Sequence, residues 1–172
     1  MSNPYSGALG KIKTARSTTN TYHKGRLFEE SASEIFTSVP NIVVWDSNVV
    51  TSDGSQEIDI IFIQEMPTKL WFMGHSFFVE CKCTASSVPS KEITVFGEKL
   101  TTAGIDYGIV FSLNGISGSE REAGHAVILR YKERGKHILS VTKSEIAKLS
   151  GYDDLINLMI SKKMALYAGR II

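Results

Sequence analysis

Three apolar runs stand too close together for a helix to fit between them, and this fixes how the first half of the chain can fold. The first spans Asn41 to Val50, the second residues 57–65 and the third residues 76–83. A parallel crossover needs a dozen or more residues. The intervals here hold only a turn, Thr51-Ser52-Asp53-Gly54-Ser55, and a loop or short hairpin through Pro67 and Gly74. Strands joined this way pair antiparallel.

The second half alternates. Ile93, Val95, Phe96 and Leu100 give a helix from an N-cap at Ser90 to Gly104, and Tyr107 to Leu113 is a short apolar strand ended by Asn114-Gly115. A helix over 118–134, a strand over 137–141, a capping box at Thr142-Lys143-Ser144-Glu145 and a last helix over 153–166 follow. Strand, helix, strand favours parallel neighbours. The expected fold is therefore α/β, with a mixed sheet flanked by helices on both faces. Ahead of it, Leu27, Phe28, Ser31, Ala32, Ile35 and Phe36 mark a helix from Thr21 that Pro40 stops. Residues 1–20, rich in Ser, Thr, Asn and Gly, read as a flexible basic arm on a single domain spanning 21–172.

A chain of 172 residues, 42% hydrophobic and 22% charged, can build one ordinary core. No run is apolar enough to span a membrane, and no leader pattern opens the sequence. The two cysteines, Cys81 and Cys83, offer no disulfide framework, which suits a reducing cytoplasm. With His75 they lack a fourth zinc ligand, so packing is the expected role. Trp45 and Trp71 are expected as core or loop anchors.

Charges break two of the apolar strands. Asp59 interrupts Ile58-Asp59-Ile60-Ile61-Phe62-Ile63, and Glu80 and Lys82 lie two apart in Phe77-Phe78-Val79-Glu80-Cys81-Lys82-Cys83. Alternation puts Glu80 and Lys82 on one face with Phe78, about 6.6 Å apart along the strand. If the strand of Asp59 is the neighbour, Asp59, Glu80 and the backbone carbonyl of Cys81 form a partial shell for Mg²⁺, with Mn²⁺ an acceptable substitute. Lys82 would then orient or deprotonate a water, or neutralise charge developing on phosphorus. Glu29, beside Phe28 on the first helix, is a third acid within reach. Glu30 is instead set for a surface pair with Arg26 four residues earlier.

The net charge is only +1, but its distribution is uneven. Lys11, Lys13, Arg16, Lys24 and Arg26 all precede the first acid, Glu29, and Arg130, Lys132, Arg134 and Lys136 form a second cluster. Lys11, Lys13, Lys24 and Arg26, with Lys91 at the start of the helix after the Glu80 strand, are the candidate contacts to a nucleic-acid backbone.

In these stretches the sequence resembles the PD-(D/E)XK nuclease superfamily, in particular its Mrr-type restriction endonucleases. The resemblance runs from about 25 to 150 through Gly25-x-x-Phe28-Glu29, Ile58-Asp59-Ile60, Val79-Glu80-Cys81-Lys82, Ile116-Ser117 to Ala126, His137-Ile138-Leu139 and Glu145-Ile146. It departs at Ile58, where the motif's name has proline, and at Glu80, where Mrr-type members often carry Gln. It implies a restriction-endonuclease-like core and Mg²⁺-dependent cleavage of DNA to 5′-phosphate and 3′-hydroxyl ends. Asp59 and Glu80 would be ligands, Lys82 the catalytic lysine and Glu29 an auxiliary acid. Defence against foreign DNA is the implied setting, with junction resolution or repair as an alternative. A non-catalytic nucleic-acid-binding or interaction module on the same fold is a third reading. Cutting both strands needs two sites, so a homodimer is expected, through Leu155, Leu158 and Met159 of the last helix.

Overall fold

The computed structural model describes residues 3–51, 54, 56–118 and 123–172. Two helices, α1 (Ser6–Ser17) and α2 (Thr21–Phe36), lead into strands β1 (Ile42–Val50), β2 (Glu57–Gln64) and β3 (Ser76–Lys82). Helix α3 (Ser90–Ala103), β4 (Tyr107–Ser112), α4 (Ala123–Glu133), β5 (His137–Thr142), the short α5 (Lys143–Ile146) and α6 (Tyr152–Tyr167) complete the order. Ser52, Asp53 and Ser55 of the expected turn, and Ser119 to Glu122 of the expected second-half helix, lie outside the described residues.

The five strands form one mixed sheet in the order β1-β2-β3-β4-β5. β1, β2 and β3 pair antiparallel, as their short connections require. β3, β4 and β5 run parallel, with helices as crossovers. Aromatic rings from α2 cover one face: Phe28 stacks on Phe111 at 4.7 Å, and Phe36 meets Phe62 and Phe77 edge-on. On that face too, His137 stacks on Tyr107 and tilts against Tyr167 of α6. The opposite face carries α3, whose Phe96 and Leu100 fill the space over Gly108; a side chain at that glycine would meet the Phe96 ring 2.5 Å away.

Two expectations need correcting. Within the expected flexible arm, residues 1–20, the described part is ordered instead: Ser6–Ser17 is helical, and Tyr5, Ala8, Ile12 and Ala15 are buried. Their spacing of three and four places them on one stripe against α2, and the alanines let the two helices approach closely. Nor is Ser90 the cap of α3; it is the first helical residue, after Pro89. The capping box at Thr142 and Glu145 is present as expected, with each side chain bonded to the other's backbone N–H.

Candidate active site

The strand register sets the geometry. Ile61 faces Phe78 across the antiparallel pair, and two residues further along their strands stand Asp59 and Glu80, which therefore share a face. The Cys81 backbone N–H donates to Asp59 Oδ2 at 2.7 Å, tying the acid to the end of β3.

Glu80 is only 4% exposed. Its two oxygens are divided between two cations: Lys82 Nζ lies 3.0 Å from Oε1 and Lys99 Nζ 2.7 Å from Oε2. Lys82 also reaches Glu92 Oε2 at 2.7 Å. Burial disfavours a charged Lys82, but Glu80 and Glu92 together outweigh it and hold the ammonium above its ordinary pKa. Of the roles expected for Lys82, this arrangement favours that of a fixed positive charge over that of a base.

Asp59 behaves oppositely. Burial and the adjacent Glu80 charge push its pKa up to about 7, against the weaker pull of the Cys81 N–H, Lys99 and Lys82. The Cys81 thiol is also raised, by burial first and then by Asp59, Glu29 and Glu80, which makes it a poor nucleophile.

A cleft of about 1250 Å³ opens between α2 and the β1–β2 hairpin. Asp59, Glu29, Asn48, Arg26 and Lys11 line it; Glu80 and Lys82 do not. Glu29, expected near the metal, lines this cleft with Asp59, and its Oε2 accepts a hydrogen bond from Asn48 Nδ2 at 3.1 Å rather than joining Glu80. Glu30 makes the expected surface pair with Arg26 at 3.6 Å.

Hard oxygen donors fit Mg²⁺: Asp59 shares a sheet face with Glu80, and Glu80 and Glu92 are met by Lys82 and Lys99. Asp59 and Glu80, with the carbonyl of Cys81, are the residues that would hold the ion. Among the described residues no group of three or more His, Cys, Asp or Glu is gathered as a ready cage. Each Glu80 oxygen already accepts from one lysine, and its remaining lone pair is what a metal would take.

The expected nucleic-acid contacts are scattered. Lys11 pairs with Glu34 at 3.0 Å, and Lys13 is exposed on α1. Lys24 lines a separate groove, and Lys91 faces α4 across a hollow shared with Arg130. Much of the second basic cluster is taken up internally: Lys132 donates to the Tyr167 carbonyl, Arg134 stands over the Tyr131 ring and Lys136 pairs with Asp106. Trp45 is exposed on β1 and is not a core residue; Trp71, exposed in the connection between β2 and β3, lies under the ammonium of Lys163. Leu155 and Met159 are fully buried in this chain's own core and cannot form a dimer face.

Lys99, Glu92 and Asn48 are the functional candidates that the sequence reading missed. Glu92 and Lys99, seven residues apart, share the helix face marked by the buried Ile93, Phe96 and Leu100. A lysine on an apolar stripe was the available signal. Compared with protein-family models, with curated proteins and with solved structures, the chain finds no match.

Proposed function

We propose that the chain is a Mg²⁺-dependent endodeoxyribonuclease, with Mn²⁺ able to replace Mg²⁺. The observation that carries this reading is the meeting of Asp59 and Glu80 on one sheet face, with Lys82 bonded to Glu80 and Asp59 opening onto a cleft. When bound, Mg²⁺ supplies Lewis-acid stabilisation to a phosphate. Lys82, kept protonated by Glu80 and Glu92, neutralises charge that develops on the phosphoryl oxygens. Glu92 positions Lys82, and Glu29, held by Asn48, orients water in the cleft. Defence against foreign DNA is the proposed setting, and a homodimer would supply the second site needed to cut a duplex.

Plasmid cleavage with and without Mg²⁺ or Mn²⁺, repeated for Lys82→Ala and Asp59→Asn, tests the proposal. Cleavage that requires the metal and falls at least about a hundredfold in each variant is the expected result. A four-way junction as substrate separates resolution from restriction.

One observation favours a second reading. Both Glu80 oxygens are already held by lysines, as in a closed structural network, so the fold could bind nucleic acid without cutting it. Salt-sensitive binding that needs no metal and yields no product would establish that module instead.

A further inference from the structure

We propose that a groove lined by Arg16, Lys24, Lys143 and Lys148 is a second nucleic-acid site, which grips the backbone phosphates of DNA beside the cleft. The proposal rests on the reading of the chain as a DNA-acting protein and locates the surface that holds the substrate.

The groove has a volume of about 660 Å³ and lies where β3, β4 and β5 end, walled by α1, α2 and α5 and by the loops after β3 and β4. Its lining holds four cations and no carboxylate. The chain as a whole nearly balances 19 basic against 18 acidic residues, so such a gathering is not a by-product of a basic composition. Seven of the cations outside the groove, Lys11, Arg26, Lys69, Lys82, Lys99, Lys136 and Lys162, are in ion pairs, and Lys132, Arg134 and Lys163 lie against a carbonyl or aromatic rings. Arg16, Lys24, Lys143 and Lys148 take part in no ion pair among the described residues. Like charges collected in a concavity repel one another, and the concave wall focuses their potential on whatever enters. An anion with several charges at regular spacing relieves that repulsion, and a DNA strand is such an anion.

The floor is held in place before any ligand arrives. Asn114 Nδ2 donates to the carbonyls of Thr84 and Ala85 at 3.2 and 2.7 Å, clasping the loop after β3 to the loop after β4. Thr142 fixes the start of α5 through its capping box, so Lys143 and Lys148 project from a set frame.

The groove and the cleft share α2. Lys24 lines the first and Glu29 the second, five residues apart, or about 7.5 Å of helix rise. That matches roughly two nucleotide steps of a strand. Five residues also turn the side chain by about 140°, so a backbone lying over Lys24 must cross α2 to reach Glu29 and Asp59.

The test is anisotropy of a labelled DNA duplex in EDTA across a salt series. Lys143→Ala with Lys148→Ala, and separately Arg16→Ala with Lys24→Ala, should each flatten the slope of log affinity against log salt by about 2 and weaken binding on the order of tenfold at low salt. Lys136→Ala, a cation at the opposite end of the sheet, should change neither. The two double variants lie on different elements, and unfolding midpoints show whether each is folded. Unchanged slopes in both folded double variants, or no duplex binding by the unaltered protein, overturn the groove. Plasmid cleavage alongside unchanged slopes leaves the nuclease reading intact. Groove-dependent binding with no metal-dependent product overturns the nuclease reading and retains the groove.

Discussion

Removing Lys99 takes one of two cations from a carboxylate that is 4% exposed. Breaking a buried pair from one side costs more than replacing both partners, because a charge is left stranded. Lys82 still holds the other oxygen, so Lys99→Met should cost about 2 kcal/mol, below the usual range for such a loss. The double variant Glu80→Gln with Lys99→Met should regain more than half of it; urea midpoints around the double-mutant cycle measure both. Asp59 gives a pH signature. Its folded pKa, about 7, lies above that of an unfolded aspartate, so the native state binds the extra proton between about pH 4 and 7. Stability is thus fully retained at the acid end of that window and falls as pH rises through 7. Thermal midpoints followed against pH should show this fall in the parent protein and not in Asp59→Asn. Added Mg²⁺ should raise the parent's midpoint more at pH 8 than at pH 6, where a proton competes for the same carboxylate. Asp59, Glu80 and Lys82 were legible because each interrupts an apolar strand. Lys99 offered only its place on an apolar stripe, because a lysine in a helix ordinarily reaches water, and the acid opposite emerges from the fold.

At the scale of elements, α1 and α2 behave as one unit. Ile12, fully buried between them, should cost about 2–4 kcal/mol when cut back to Ala, with an earlier unfolding midpoint for the whole domain. An arm lying free in solvent would show no change. The strands were legible for a simple reason: Phe62, Phe77 and Phe111 sit in runs of β-branched and aromatic residues that have few other uses. α1 was hidden because its inward stripe is half alanine, which carries little hydrophobic contrast against the surrounding serines and threonines. The start of α3 was misread for another reason. Ser-x-x-Glu is absent there, and proline before the first turn ends the preceding extended segment without any side-chain cap.

For the whole molecule, order should fall away from the centre of the sheet. Every residue of β4 is buried, whereas most of β1 is exposed on the sheet's edge. Native-state hydrogen exchange should find the slowest amides in β3 and β4 and much faster ones along the outer side of β1, by two or more orders of magnitude. The α/β class and the change from antiparallel to parallel pairing were legible from connection lengths alone, since chain geometry dictates them. How cleft, acid pair and groove lie relative to each other was not, since it depends on helices that cross the sheet at angles no residue spacing records. No helix among the described residues is long and apolar enough to cross a membrane. The amino-terminal tether has a practical consequence. Asn3 Nδ2 is bonded to the carbonyl of Ala147, which lines the groove next to Lys148, so Asn3 is fixed at the groove wall. An acidic epitope tag fused at this terminus would act as a competitor for the groove's cations, and a fusion at the other terminus is the better choice for measuring affinity.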